Sequence, residues 1–199
     1  MSAVLLVRLK IADLVAATAL DAARRLLPAG FTCERLTREE AFLFEAAPGA
    51  PPAAFEPALA RAVESSNFFV NPNKEQYRLL PSGGRGESLV PPDGAWGILV
   101  RAREETRDER LQERLLREHP LEGLGAIRRA RLWWLWTRAP GGGSGAERLY
   151  EKIGPVRDPR HGLLVNPHAE TDLRLDGPVS WSVIERFLTA PAPPWRAAA

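Results

Sequence analysis

Cysteine and histidine are scarce in this chain of 199 residues, and each scarcity removes a class of function. A single cysteine, Cys33, excludes an intramolecular disulfide and any Cys-rich zinc module, and it fits a reducing compartment. With three histidines, a nucleophile–histidine pair or a stand-alone hydrolase has little support. Long hydrophobic runs are missing too: none spans a bilayer, and the opening segment Met1–Arg8 lacks the basic start and long apolar core of a signal peptide. The expectation is a cytoplasmic protein with no membrane contact. Nor is one sign of charge in excess, with 10 Lys+Arg against 11 Asp+Glu through residue 94 and 17 against 14 after it, which argues against a nucleic-acid partner. The glycine-rich stretches Gly83–Gly86 and Gly141–Gly145 lack the Gly-Lys-Ser/Thr of a phosphate loop and read as linkers.

What is present is an apolar fraction of 45%, enough to build a core. Leu5, Val7 and Leu9 alternate with Val4 and Leu6 as in a strand, and a helix capped by Asp13 is expected over Leu14–Leu27. Pro28-Ala29-Gly30 stops it. Phe31–Glu45 then reads as a hairpin turning near Thr37-Arg38-Glu39, followed by a helix over Pro52–Ser65 and a strand over Glu75–Leu80. After residues 81–94, whose Pro and Gly content predicts a linker, the order repeats. Trp96–Arg101 reads as a strand, and Thr106 with Glu109 as a capping box. A second hairpin over Ala126–Thr137, a helix bearing Leu149, Tyr150 and Ile153, and a strand to Leu175 complete the set. A short helix and a Pro-rich tail are expected over 177–199.

The repetition extends to residues. Val70-Asn71-Pro72-Asn73-Lys74-Glu75 recurs as Val165-Asn166-Pro167-His168-Ala169-Glu170, and Leu6-Val7-Arg8 recurs as Leu99-Val100-Arg101. Asn-Pro launches a strand because proline fixes its own φ and drives its predecessor out of the helical region. That alone does not explain the recurring glutamate. The predicted fold is α+β: two β-α-β-β-α-β units, residues 1–80 and 95–176, packed through their open sheet faces as a pseudo-dimer.

Other candidate residues carry two readings each. His161, His168, Glu170 and Asp172 could approach a divalent metal, but the polar face of an edge strand is the preferred reading, so no metal site and no cofactor are assigned. Trp133, Trp134 and Trp136 crowd one strand, which places them in the core or in an interface between repeats or with a partner.

The Asn-Pro segment resembles the PurS family, the small subunit of phosphoribosylformylglycinamidine synthase, whose members end on a Leu-x-Asn-Pro-x-x-Glu-x-Tyr-like stretch. Val70–Tyr77 matches it; Val165–Glu170 matches up to the glutamate and lacks the tyrosine. The family's Gly-Lys pair in the hairpin is absent from both repeats. The resemblance implies paired ferredoxin-like units and a non-catalytic subunit joining an ATP-using synthetase to a glutaminase in purine biosynthesis. It places partner contacts at Asn71, Pro72, Glu75 and Tyr77, at Asn166, Pro167 and Glu170, and, with the tryptophan argument, at Trp134. The alternative left open is a small-molecule-sensing regulatory module on the same paired units, with its ligand between the repeats.

Overall fold

The computed structural model describes residues 2–81, 88–104, 107–119, 121–155 and 162–191. The first half runs β1 (Ser2–Leu9), α1 (Leu14–Leu26), β2 (Thr32–Ala46), α2 (Pro52–Ser65) and β3 (Glu75–Pro81). A two-residue strand β4 (Ser88–Leu89) leads to β5 (Ala95–Ala102), α3 (Glu109–Glu118), β6 (Leu124–Arg138), α4 (Ala146–Ile153) and β7 (Glu170–Leu175). The chain continues through β8 (Val179–Ser180) into α5 (Trp181–Thr189). The fold is α+β, with one antiparallel six-stranded sheet in the order β3-β1-β2-β6-β5-β7 and a small β4-β8 pair.

Two expectations are corrected. Each predicted hairpin is a single strand of 15 residues, β2 or β6, so each half reads β-α-β-α-β. Thr37-Arg38-Glu39 has the composition of a turn, but in the fold each residue faces a strand partner: Trp134, Trp133 and Leu132. Their charges are also satisfied in the fold, Arg38 by Asp13 at the start of α1 at 3.2 Å and Glu39 by Arg78 of β3 at 3.3 Å. The halves meet edge to edge through β2 and β6 rather than face to face. The face expected to be shared is instead covered by α5, whose Trp181, Ile184 and Leu188 pack with Val4, Leu6, Leu99, Leu132 and Trp134.

Smaller differences concern boundaries. Asp108 caps α3, its carboxylate accepting the Leu111 N–H at 3.0 Å, whereas the expected cap Thr106 lies outside the described residues. Within the segment read as a linker, Leu89 is buried and pairs with Val179, while residues 82–87 lie outside the described residues. So do 192–199 of the expected tail.

The register of the sheet is symmetric under exchange of the halves. Val7 pairs with Glu40 as Val100 pairs with Arg131, and Glu40 and Arg131 are themselves opposite one another across the β2–β6 joint. The ladder shifts where Glu34 of β2 and Gly125 of β6 are skipped, and these two positions exchange in the same way. Such bulges bend and twist the strand that carries them.

On the other face, each half lends a helix to its neighbour. Ala16, Ala19 and Ala23 of α1 pack with Trp96, Ile98, Val100 and Trp133 and with Leu149 and Ile153 of α4. Alanines on the buried stripe let this helix approach large indoles closely. In return Leu115 of α3 joins Leu5, Phe42 and Phe44 and the α2 residues Phe55, Leu59 and Val63. No helix among the described residues is long and apolar enough to cross a membrane.

Candidate functional site

The Asn-Pro segments form twin loops with one hydrogen-bonding plan. In the first, the Asn71 N–H donates to Glu75 Oε2 at 2.7 Å, and Asn71 Oδ1 accepts the Asn73 N–H at 3.1 Å. The Asn71 carbonyl accepts from the N–H groups of Lys74 and Glu75 at 2.9 and 2.7 Å. In the second, Asn166 N–H to Glu170 Oε2 is 2.8 Å, His168 N–H to Asn166 Oδ1 is 3.1 Å, and the Asn166 carbonyl accepts from Ala169 and Glu170 at 3.1 and 2.6 Å. A cation closes each turn from the end of the neighbouring strand: Lys10 Nζ donates to the Pro72 carbonyl and Arg103 Nε to the Pro167 carbonyl, both at 2.7 Å. The glutamate therefore recurs because its carboxylate satisfies the loop's own leading N–H.

β1 and β5 run in opposite directions, separated by three antiparallel steps, so the loops lie at opposite ends of the sheet. Asn71, Pro72 and Asn166 are exposed, and Pro167, Glu75 and Glu170 half-buried. The two ends differ in charge. Arg131 Nη2 holds the other oxygen of Glu170 at 2.7 Å, whereas the corresponding position beside Glu75 is Glu40, and Glu75 has no ion pair among the described residues. Tyr77 also has a counterpart in inverted form. Its hydroxyl on β3 donates to Glu64 of α2 at 3.5 Å; on β7 Asp172 accepts from the Tyr150 hydroxyl of α4. Partial burial, with Glu64 nearby, pushes the Tyr77 phenol above its ordinary pKa.

Trp134 is 1% exposed, and its indole N–H donates to Glu39 Oε2 at 3.2 Å. It fills the face under α5 and joins the two halves; in this conformation it offers no surface to an outside partner. Trp133 lies on the opposite face, beneath α1. Of the residues considered for a metal, His161 lies outside the described residues, Glu170 is engaged by Asn166 and Arg131, and Asp172 by Tyr150. Among the described residues no group of three or more His, Cys, Asp or Glu is arranged to hold a metal ion. Cys33 is buried, its thiol donating to the Arg35 carbonyl, and burial raises its pKa from 9.0 to about 11.

One cavity adjoins the second loop and was not evident from the sequence. It has a volume of about 560 Å³ and lies between α1 and the segment Leu163–Glu170, with Arg131 and Trp133 in its wall. Beside it Leu14 and Val15 of α1, both apolar, are 77% and 50% exposed. No family model, curated protein or solved structure matches the chain.

Proposed function

We propose that the chain is a non-catalytic assembly subunit of phosphoribosylformylglycinamidine synthase in purine biosynthesis, built as a tandem pair of PurS-like units joined edge to edge as a pseudo-dimer. In this reading it joins an ATP-using synthetase to a glutaminase, and the amidation chemistry belongs to those partners. The observation that carries it is the pair of clamped Asn-Pro loops at opposite ends of one continuous sheet. Each loop is exposed at its tip and cross-braced by its own glutamate, so little conformational entropy is left to lose on docking. Glu75, with no ion pair among the described residues at one loop, and Glu170, held by Arg131 at the other, suit two different partner surfaces.

The test is reconstitution with the synthetase and glutaminase chains of the same genome, measuring glutamine-dependent amidine formation with and without this protein. The expected result is activity that requires the chain and is lost when both loops are replaced by Gly-Ser turns. Equal rates without the chain, or turnover of a substrate by the chain alone, would overturn the reading. A regulatory module that senses a small molecule is the second reading, and the cavity between α1 of one half and the loop of the other is the observation in its favour.

A further inference from the structure

The two halves treat one equivalent place differently. Phe42 faces Leu5 in the register as Trp133 faces Ile98, and Phe68-Phe69 precede Asn71 as Leu163-Leu164 precede Asn166. In the first half the aromatic rings fill the space: Phe69 stacks edge-on against Phe42 at 5.4 Å and against Phe44 at 5.1 Å. In the second half the leucines are shorter than the phenylalanines they replace. There the cavity of about 560 Å³ remains, a size in the range of roughly 300–1,000 Å³ typical of small-molecule sites.

Its chemistry is divided. Leu14, Val15, Ala19 and Leu163 give it apolar lining, and Trp133 and Arg131 line it as well. Trp133 Nε1 and Arg131 Nε are both buried donors with no hydrogen-bond partner, although Arg131 uses another nitrogen to hold Glu170. Buried donors without acceptors are rare in folded proteins, and these two belong to residues that line the same open cavity, which leaves a place for an acceptor from outside. Glu170 does not fill that role, being held by Arg131 Nη2 and the Asn166 N–H.

We propose that this cavity binds a small amphipathic molecule whose apolar body lies along α1 and whose head is a hydrogen-bond acceptor, a carboxylate or carbonyl oxygen, received by Trp133 Nε1 and Arg131 Nε. Because the cavity is bounded by α1 of one half and β6 and the Asn166 loop of the other, its occupant touches both halves. The proposal stands whether or not the chain serves as an assembly subunit.

The experiment is isothermal titration of the whole chain with octanoate, octanamide and octylamine, three probes with one apolar body and different heads. Binding of octanoate or octanamide, but not octylamine, is expected; the tighter of the two identifies a charged or a neutral head. Trp133→Phe keeps the ring's bulk and removes one donor, and is expected to weaken binding about tenfold. Leu164→Phe, or Leu163→Phe should the first fail to fold, copies the packing of the other half and is expected to abolish binding. Octylamine binding as tightly as octanoate, unchanged affinity in Trp133→Phe, or no binding of either acceptor at millimolar concentration would each overturn the proposal. So would a concentration-dependent dimer dispersed by Leu14→Glu, since the apolar wall would then belong to a second copy.

Discussion

Trp134 and Glu39 join the two halves of the molecule by a side-chain hydrogen bond of 3.2 Å within the buried face of the central sheet. The carboxylate is 4% exposed and also accepts from Arg78, so removing the indole donor leaves part of a buried charge less well satisfied. We predict that Trp134→Phe lowers unfolding free energy by about 1–3 kcal/mol, and that Trp134→Ala, which also empties the ring's volume, lowers it by about 3–5 kcal/mol. Urea denaturation followed by circular dichroism measures both. A Trp134→Ala protein as stable as the parent would refute this role.

Gly97 faces Trp134 in the register, and a Cβ there would meet the indole at 2.6 Å. The corresponding pair in the other half is Val4 opposite Leu43, so bulk is distributed differently across the two copies of the contact. Gly97→Ala is predicted to destabilise the protein by about 1–3 kcal/mol through overpacking. Thermal unfolding of this single variant is enough to check it, and an unchanged or raised Tm contradicts it.

The glutamates of the two loops should differ in importance. Glu75→Ala removes one carboxylate-to-backbone bond, whereas Glu170→Ala also deprives Arg131 of its ion-pair partner. The expected losses are about 1 kcal/mol for Glu75→Ala and about 2–3 kcal/mol for Glu170→Ala. Equal losses in paired urea titrations would mean that Arg131 contributes nothing to the clamp.

Cys33 sets a pH dependence. Its thiol titrates near 9.0 when exposed and near 11 in the fold, so between those values the folded chain binds more protons than the unfolded one. The stabilisation is fully present below pH 9 and is lost as pH rises through 11, up to about 2–3 kcal/mol in all. Comparing the parent with Cys33→Ala across that range isolates the thiol; parallel curves for the two proteins would refute the assignment.

A cut in the chain between the halves should leave them together. The β2–β6 ladder and the exchanged helices hold them without the connection. With a protease site placed in residues 82–87, the nicked protein is predicted to elute as one species in gel filtration. Two separating fragments would count against the shared core.

Local order was readable where side chains follow a simple period. Asp13 caps α1 as its position before an apolar run implied, and the alternation of β1 is the one found. The long strands were hidden because Thr37-Arg38-Glu39 and Arg128-Arg129 look like turns until a partner strand and opposite charges are brought beside them. Glu45 pairs with Arg128, and Asp108 with Arg129, from positions far apart in the chain. The recurring Asn-Pro-x-x-Glu pattern was visible, but the glutamate's use within its own loop was not, since a contact to the backbone of a residue four positions earlier leaves no mark of its own. The cavity depends on what Leu163 and Leu164 fail to fill, a difference in volume that only the packed structure reveals.

The exchange of α1 and α3 between halves has a consequence for synthesis on the ribosome. When the first half has emerged, β2 still lacks its neighbour on one edge, and the alanine stripe of α1 lacks the indoles it packs against, because both belong to sequence not yet translated. A nascent chain held at that stage carries a strand of 15 residues with one edge open, an edge of the kind that invites pairing with another copy. The register at the joint is symmetric about Glu40 and Arg131, so the partner geometry that β2 awaits from β6 is one that a second β2 can imitate. Neighbouring chains on a polysome are thus the natural competitors of the native fold, and a stop codon after residue 94 should yield self-paired first halves rather than a stable monomer.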